Sequence, residues 1–229
     1  KTVIDSTGNA DIAAAAGAEC VYTDGTDIAV QGTGLPPREL GASYRNTDFT
    51  ITDETDMVDV TSLFVYAKRK YSRTSFDQGR LIDTRERRRI VGEVTLNIPD
   101  MVTGRTYPDS IVKSQTNYDT HGYTVDPYLA MQMLSKRKSV TTWTPYRALL
   151  PKGLRGILVT GLGISVHRDS VPLIRMQPDL QNQGYAVGTA AAMVRDQGGE
   201  PRKVDMAKLQ KHLVAKGILP ETMIGAKDT

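Results

Sequence analysis

The apolar positions of this chain change period along its length, and each period predicts a different element. Val3 and Ile4 open a short apolar run, and Ile157, Leu158, Val159 and Thr160 form a second one that suits a strand buried on both faces of an α/β sheet. Residues 93–97 alternate as a strand does, while residues 59–71 repeat apolar positions at helical spacing through Leu63, Tyr66, Ala67 and Tyr71. Residues 180–195 read as a helix in which Gly184, Gly188 and Ala192 fall on one face, with Asp179 or Asn182 as its cap. Asp205 caps a last amphipathic helix that ends at Gly217, and His212 on that helix reads as structural. Asn9 or Asp11 starts a short alanine-rich helix that Gly17 ends. Residues 32–41 form a Gly/Pro loop, and residues 127–137 a short helix or a lid segment.

Composition narrows the classes. With 229 residues, 39% of them hydrophobic, the chain can bury a sizeable core in one or two domains. A net charge of +3 without a dense basic stripe gives no sign of nucleic-acid binding. The cluster at Arg85, Arg87, Arg88 and Arg89 reads as a solvated or ion-paired surface turn or a contact for phosphate or carboxylate. No apolar run reaches the roughly 20 residues of a membrane span, and no signal peptide is visible. Cys20 stands alone, which excludes an intrachain disulfide and a Cys-x-x-Cys pair. His121, His167 and His212 lie far apart without metal-ligand spacing.

The glycines carry the first hint of a ligand. Gly161 and Gly163 follow the apolar run at 157–160, at the carboxyl end of a strand, where backbone amides can approach a ligand closely. The small face of the helix at 180–195 can lie against another backbone or a flat ring.

Taken in order, these segments resemble the FAD-dependent oxidoreductases whose dinucleotide domain is of the glutathione-reductase type. The likeness rests on four ordered matches: the apolar run, Asp5, Ser6, Thr7 and Gly8; then Arg85, Arg88, Arg89, Ile90 and Gly92; then Asp119 and His121; then the sequence from Tyr146 through Gly161 and Gly163 to Arg175 and the glycine-bearing helix. The resemblance implies FAD as cofactor, with Thr7 and Gly8 in the turn beside its diphosphate and ribose, and Gly161, Gly163, Gly184 and Gly188 along its site. It implies a small-molecule substrate on the flavin face, hydride transfer to or from flavin N5, and no dithiol relay. His121, oriented by Asp119, is then the first general-base candidate and His167 the second. Arg147 and Arg175 are the candidates for electrostatic roles. Where many relatives carry Gly-Arg-x, this chain has Gly161, Leu162 and Gly163.

The expected fold class is α/β to α+β: the remainder of a Rossmann-like FAD domain plus a mixed β-sheet substrate-side domain with helices. Residues 1–20 would end the FAD domain, 21–145 form the substrate side, and 146–229 return to the FAD domain with C-terminal helices. No Gly-x-Gly-x-x-Gly opens a helix: Gly32 and Gly34 run into Pro36 and Pro37, and Gly161 and Gly163 into Ile164, Ser165 and Val166. The chain therefore reads as a C-terminal fragment, with the missing N-terminal segment of the same protein as its partner. The alternative is a non-catalytic module that binds carbohydrate or peptide, to which the 10 tyrosines lend weight. Oligomeric state and compartment stay open.

Overall fold

A computed structural model describes residues 1–229 apart from 25, 40, 43–46, 73, 82–83, 85 and 132–138, and apart from the side chain of residue 130. Arg85 and the second half of the segment expected as a helix at 127–137 therefore lie outside the described residues.

The fold is α+β, with helices around small sheets. Strand β1 (Val3–Asp5) leads into helix α1 (Asp11–Ala15), and β2 (Cys20–Tyr22) follows. Helix α2 (Met57–Lys70), strand β3 (Arg88–Ile90) and helix α3 (Ile98–Thr103) occupy the middle. Strand β4 (Ser110–Asn117), helix α4 (Pro127–Met131), strand β5 (Ser139–Pro145) and strand β6 (Ile157–Val159) precede the two long C-terminal helices, α5 (Gln177–Val194) and α6 (Met206–Ala215). Among the described residues the strands form three two-stranded sheets: β1 with β6 in parallel, β2 with β3 and β4 with β5 antiparallel.

The β4–β5 ribbon organises the main core. It pairs from Ser110 with Pro145 to Asn117 with Ser139, and α5, α3 and α6 pack against it. Ile111, Val112, Leu149, Leu158, Leu173, Val187, Leu209 and Leu213 meet in that core, so the largest buried cluster draws on residues before and after 145. Burial of such side chains, at about 25 cal/mol per Å² of apolar area, is the main stabilising force. A smaller cluster of Ala10, Ala13, Ile90, Ile157 and Val159 sits between β1, β6 and α1. A third, of Leu35, Leu63, Ala67 and Phe76, lies under α2.

Local chemistry explains most boundaries. Asp56 caps α2 by accepting from the Val58 N–H at 2.7 Å, and Asp205 caps α6 by accepting from Lys208 N–H at 3.0 Å. Two expectations are corrected. Residues 93–97 form no regular strand; among the described residues the segment joins its neighbours through isolated bridges of Gly92 with Pro151 and Leu96 with Val166, and α3, with Pro99 in its first turn, follows directly. Helix α5 begins three residues before residue 180, with Pro178 in its first turn, so Asp179 lies inside it and neither Asp179 nor Asn182 is the cap.

Candidate functional site

At the carboxyl end of β1 the chain makes a tight turn organised by Asp5. Its buried carboxylate accepts from the Thr7 N–H at 3.0 Å, the Thr7 hydroxyl at 2.7 Å and the Ala13 N–H at 2.8 Å. Burial alone would raise the Asp5 pKa, but these donors outweigh it and hold it below its ordinary value. The Thr7 hydroxyl also accepts from the Asp11 N–H at 2.9 Å; α1 begins at Asp11, one of the two residues expected to start it, and its first N–H is satisfied by Thr7.

The parallel partner ends beside this turn. β6 runs through Thr160, whose N–H donates to the Asp5 carbonyl at 2.9 Å, into a 3-10 turn at Gly161–Gly163. Gly8 and Gly161 have φ of 85° and 89°, the left-handed region that favours glycine. A Cβ on Gly161 would lie 3.9 Å from the Gly8 Cα, whereas one on Gly163 would lie 2.8 Å from the Ala10 nitrogen. Thr7, Gly8, Gly161 and Gly163 are thus brought together, two of them as open turns and two engaged in holding those turns. Gln183 of α5, buried on the face shared by Ala186, Val187, Ala190 and Val194, accepts from the Thr160 hydroxyl at 2.7 Å and from the Gly161 N–H. Sequence reasoning missed Gln183, although its spacing from those apolar residues marks it as part of the buried stripe. Gly184 and Gly188 lie on the opposite, exposed face, where an added Cβ would meet nothing within 4 Å.

A second group of side chains surrounds His121. Its Nδ1 lies 3.1 Å from an Asp48 carboxylate oxygen and its Nε2 3.5 Å from Asp119. Arg175 donates to the same Asp119 carboxylate at 2.7 Å and to the Asp119 carbonyl at 3.2 Å. The structure therefore joins His121, Asp119 and Arg175, while Asp48 is a partner that no sequence signal marked. Beside them Thr116, Asn117, Tyr118, Asp119, Thr120 and Met176 line a cavity of about 280 Å³. Asp119 is half exposed at 52%, so solvent screens its pairing with Arg175.

The remaining candidates sit apart from that group. The His167 Nδ1 accepts from the Asp169 N–H at 3.3 Å and opens the turn Arg168–Leu173. Arg147 is held by Asp109 through its backbone N–H at 2.8 Å, Nε at 3.0 Å and a terminal nitrogen at 3.0 Å. The arginine cluster is not a solvated turn: Arg87 pairs with Glu54, Arg88 with Asp11, and Arg89 is buried against the Glu86 carbonyl. His212 accepts or donates at 2.9 Å with the Tyr185 hydroxyl, and the two rings stack.

FAD needs room at strand ends, and the Gly8 turn supplies it: a Cβ there would meet nothing within 4 Å. Among the described residues no group of three or more His, Cys, Asp or Glu side chains is arranged to hold a metal ion. No helix among them is long and apolar enough to cross a membrane. No curated protein and no solved structure matches the chain. The profile of the family described as FAD dependent oxidoreductase matches residues 47–213, most of the sequence, and FAD is the cofactor of that family. By this match the chain belongs to the FAD-dependent oxidoreductases.

Proposed function

We propose that this chain is the C-terminal part of an enzyme that moves a hydride directly between a small organic substrate and FAD. The observation that carries the reading is the convergence of the Gly8 and Gly161 turns at the carboxyl ends of β1 and β6. FAD, when bound, supplies a two-electron acceptor. The turns at Thr7, Gly8, Gly161 and Gly163 would hold it, and the open face of α5 at Gly184 and Gly188 would leave room for a flat ring. The Rossmann-like remainder at 1–20 and 146–229, and the substrate side at 21–145, follow from the same reading. Among the described residues β1 pairs with β6 alone, and Val3 and Ile4 are exposed, which leaves an apolar face for the segment that would carry the diphosphate-binding glycines.

On the substrate side His121 takes the proton that leaves the substrate as its carbon is oxidised. Asp48 holds the ring through Nδ1 at 3.1 Å, and Nε2, on the side of Asp119 at 3.5 Å, is the nitrogen that takes the proton. Arg175 offsets the Asp119 charge, leaving the pair close to neutral where the substrate enters. His167 is the second candidate base. Arg147, fixed by Asp109, has the form of an anchor, and its electrostatic role rests on sequence order alone. With Cys20 the sole cysteine, electrons pass without a dithiol.

The test is anaerobic mixing of the flavin-loaded gene product with panels of small organic substrates. Bleaching of the flavin by one class, slowed in His121→Ala, supports the reading; a flavin that no substrate reduces rejects it. The alternative binding module draws on the aromatic residues near α2. There Phe49, Tyr66, Tyr71 and Phe76 pack on one another with ring centroids 5.0 to 6.5 Å apart, which spends much of their surface on each other.

A further inference from the structure

Glu86 lies in the middle of the arginine cluster yet is 1% exposed. Its two carboxylate oxygens receive consecutive backbone donors, Val30 N–H at 2.9 Å and Gln31 N–H at 3.1 Å. The same two residues hold the His121 group. The Val30 carbonyl accepts the His121 N–H at 3.1 Å, Gln31 bridges His121 as a strand would, and the Gln31 side-chain amide donates to the Asp119 carbonyl at 3.2 Å. Asp119 in turn binds Arg175.

We propose that Glu86 is the positioning residue of the His121, Asp119 and Arg175 group: by clamping Val30 and Gln31 it sets where His121 lies, and its ionisation is transmitted to the His121 ring. The catalytic meaning rests on the function proposed above; the coupling itself rests on these hydrogen bonds. The physical cause is the donor and acceptor count. An ionised carboxylate accepts strongly at both oxygens, whereas protonation puts an O–H on one of them and leaves that oxygen a weaker acceptor. Protonation therefore loosens the hold on one of the two clamped amides.

Several charged groups face Glu86. Arg89 of β3 donates to the Glu86 carbonyl, which also accepts the Thr23 hydroxyl at 3.0 Å. Arg168, paired with Asp27 at 3.0 Å, and the buried Asp169 approach from the turn at Arg168–Leu173. Burial raises the Glu86 pKa, the Val30 amide, Arg89 and Arg168 lower it, and Asp169 raises it; the balance stands at about 7. Asp169 also accepts from the Val125 and Asp126 N–H groups, so the segment after His121 is tied to the same buried group.

The experiment is an NMR pH titration of the intact chain, following the Val30 and Gln31 amides and the His121 ring. In wild type all three are expected to share a midpoint of about 7. Glu86→Gln is expected to remove the shared midpoint from all three. His121→Gln is expected to leave it on the two amides, which keeps the test valid if Glu86→Gln does not fold. Amides that titrate while the ring ignores their midpoint overturn the proposal, as does a midpoint that survives Glu86→Gln or vanishes in His121→Gln. These readouts involve no flavin, so a protein that binds no FAD would defeat the proposed function and leave the coupling standing.

Discussion

Gln183 accepts the Thr160 hydroxyl at 2.7 Å and, with the same oxygen, the Gly161 N–H. One buried amide oxygen thus fastens α5 to the end of β6 and fixes the glycine turn. Gln183→Leu leaves two donors without an acceptor, at a cost of about 2–4 kcal/mol. The expected drop in Tm is roughly 4–16 °C for a chain of this size, read by thermal unfolding.

Three of the site glycines separate into two kinds. Gly163→Ala pushes a Cβ to 2.8 Å from the Ala10 backbone nitrogen and is expected to destabilise by about 1–3 kcal/mol. Gly184→Ala and Gly188→Ala meet open space in a helix and are expected to stabilise by about 0.5–1 kcal/mol each. If that face walls the flavin, Gly184→Leu keeps the fold, checked by circular dichroism, and weakens FAD binding.

Two buried carboxylates give opposite pH dependences. Asp5 is held below its ordinary value of 3.8, so its contribution is complete above that value and is lost as pH falls through the folded pKa. Asp5→Asn is expected to cost about 2–3 kcal/mol near neutrality, with the gap to wild type closing in acid. Glu86 is raised from 4.5 to about 7, so the folded state binds the extra proton and wild-type stability falls as pH rises through that window. Glu86→Gln removes this slope, which denaturant unfolding at a series of pH values measures.

His121→Ala in the flavin-loaded protein is expected to lower kcat by about 10²–10⁴-fold while the flavin spectrum persists. Asp119→Asn removes the carboxylate shared by His121 and Arg175 and is expected to fall between wild type and His121→Ala. A kcat unchanged in both variants would move the base to another residue.

Much of the helical structure was legible because its signals are local. The spacing of Leu63 and Ala67 marked α2, Asp205 marked the start of α6, and Ile157, Leu158 and Val159 marked β6. The alternation at 93–97 misled, because Pro99 and the pairing of Leu96 with Val166 are decided by tertiary packing. Asp119 beside His121 was readable from two residues of separation. Asp48, Gln183 and Glu86 were not: the first two meet their partners across 73 and 23 residues. Glu86 sits among arginines that suggest a solvated surface, while its burial depends on Val30 and Gln31, 56 and 55 residues away.

The visible absorbance spectrum of the purified complete gene product, followed by FAD titration of whatever is colourless, tests the central claim most directly. Flavin bands that stay with the protein through gel filtration, or that appear with saturating FAD uptake, are the predicted result. A colourless protein that takes up no FAD would contradict the assignment of the Gly8 and Gly161 turns to a flavin.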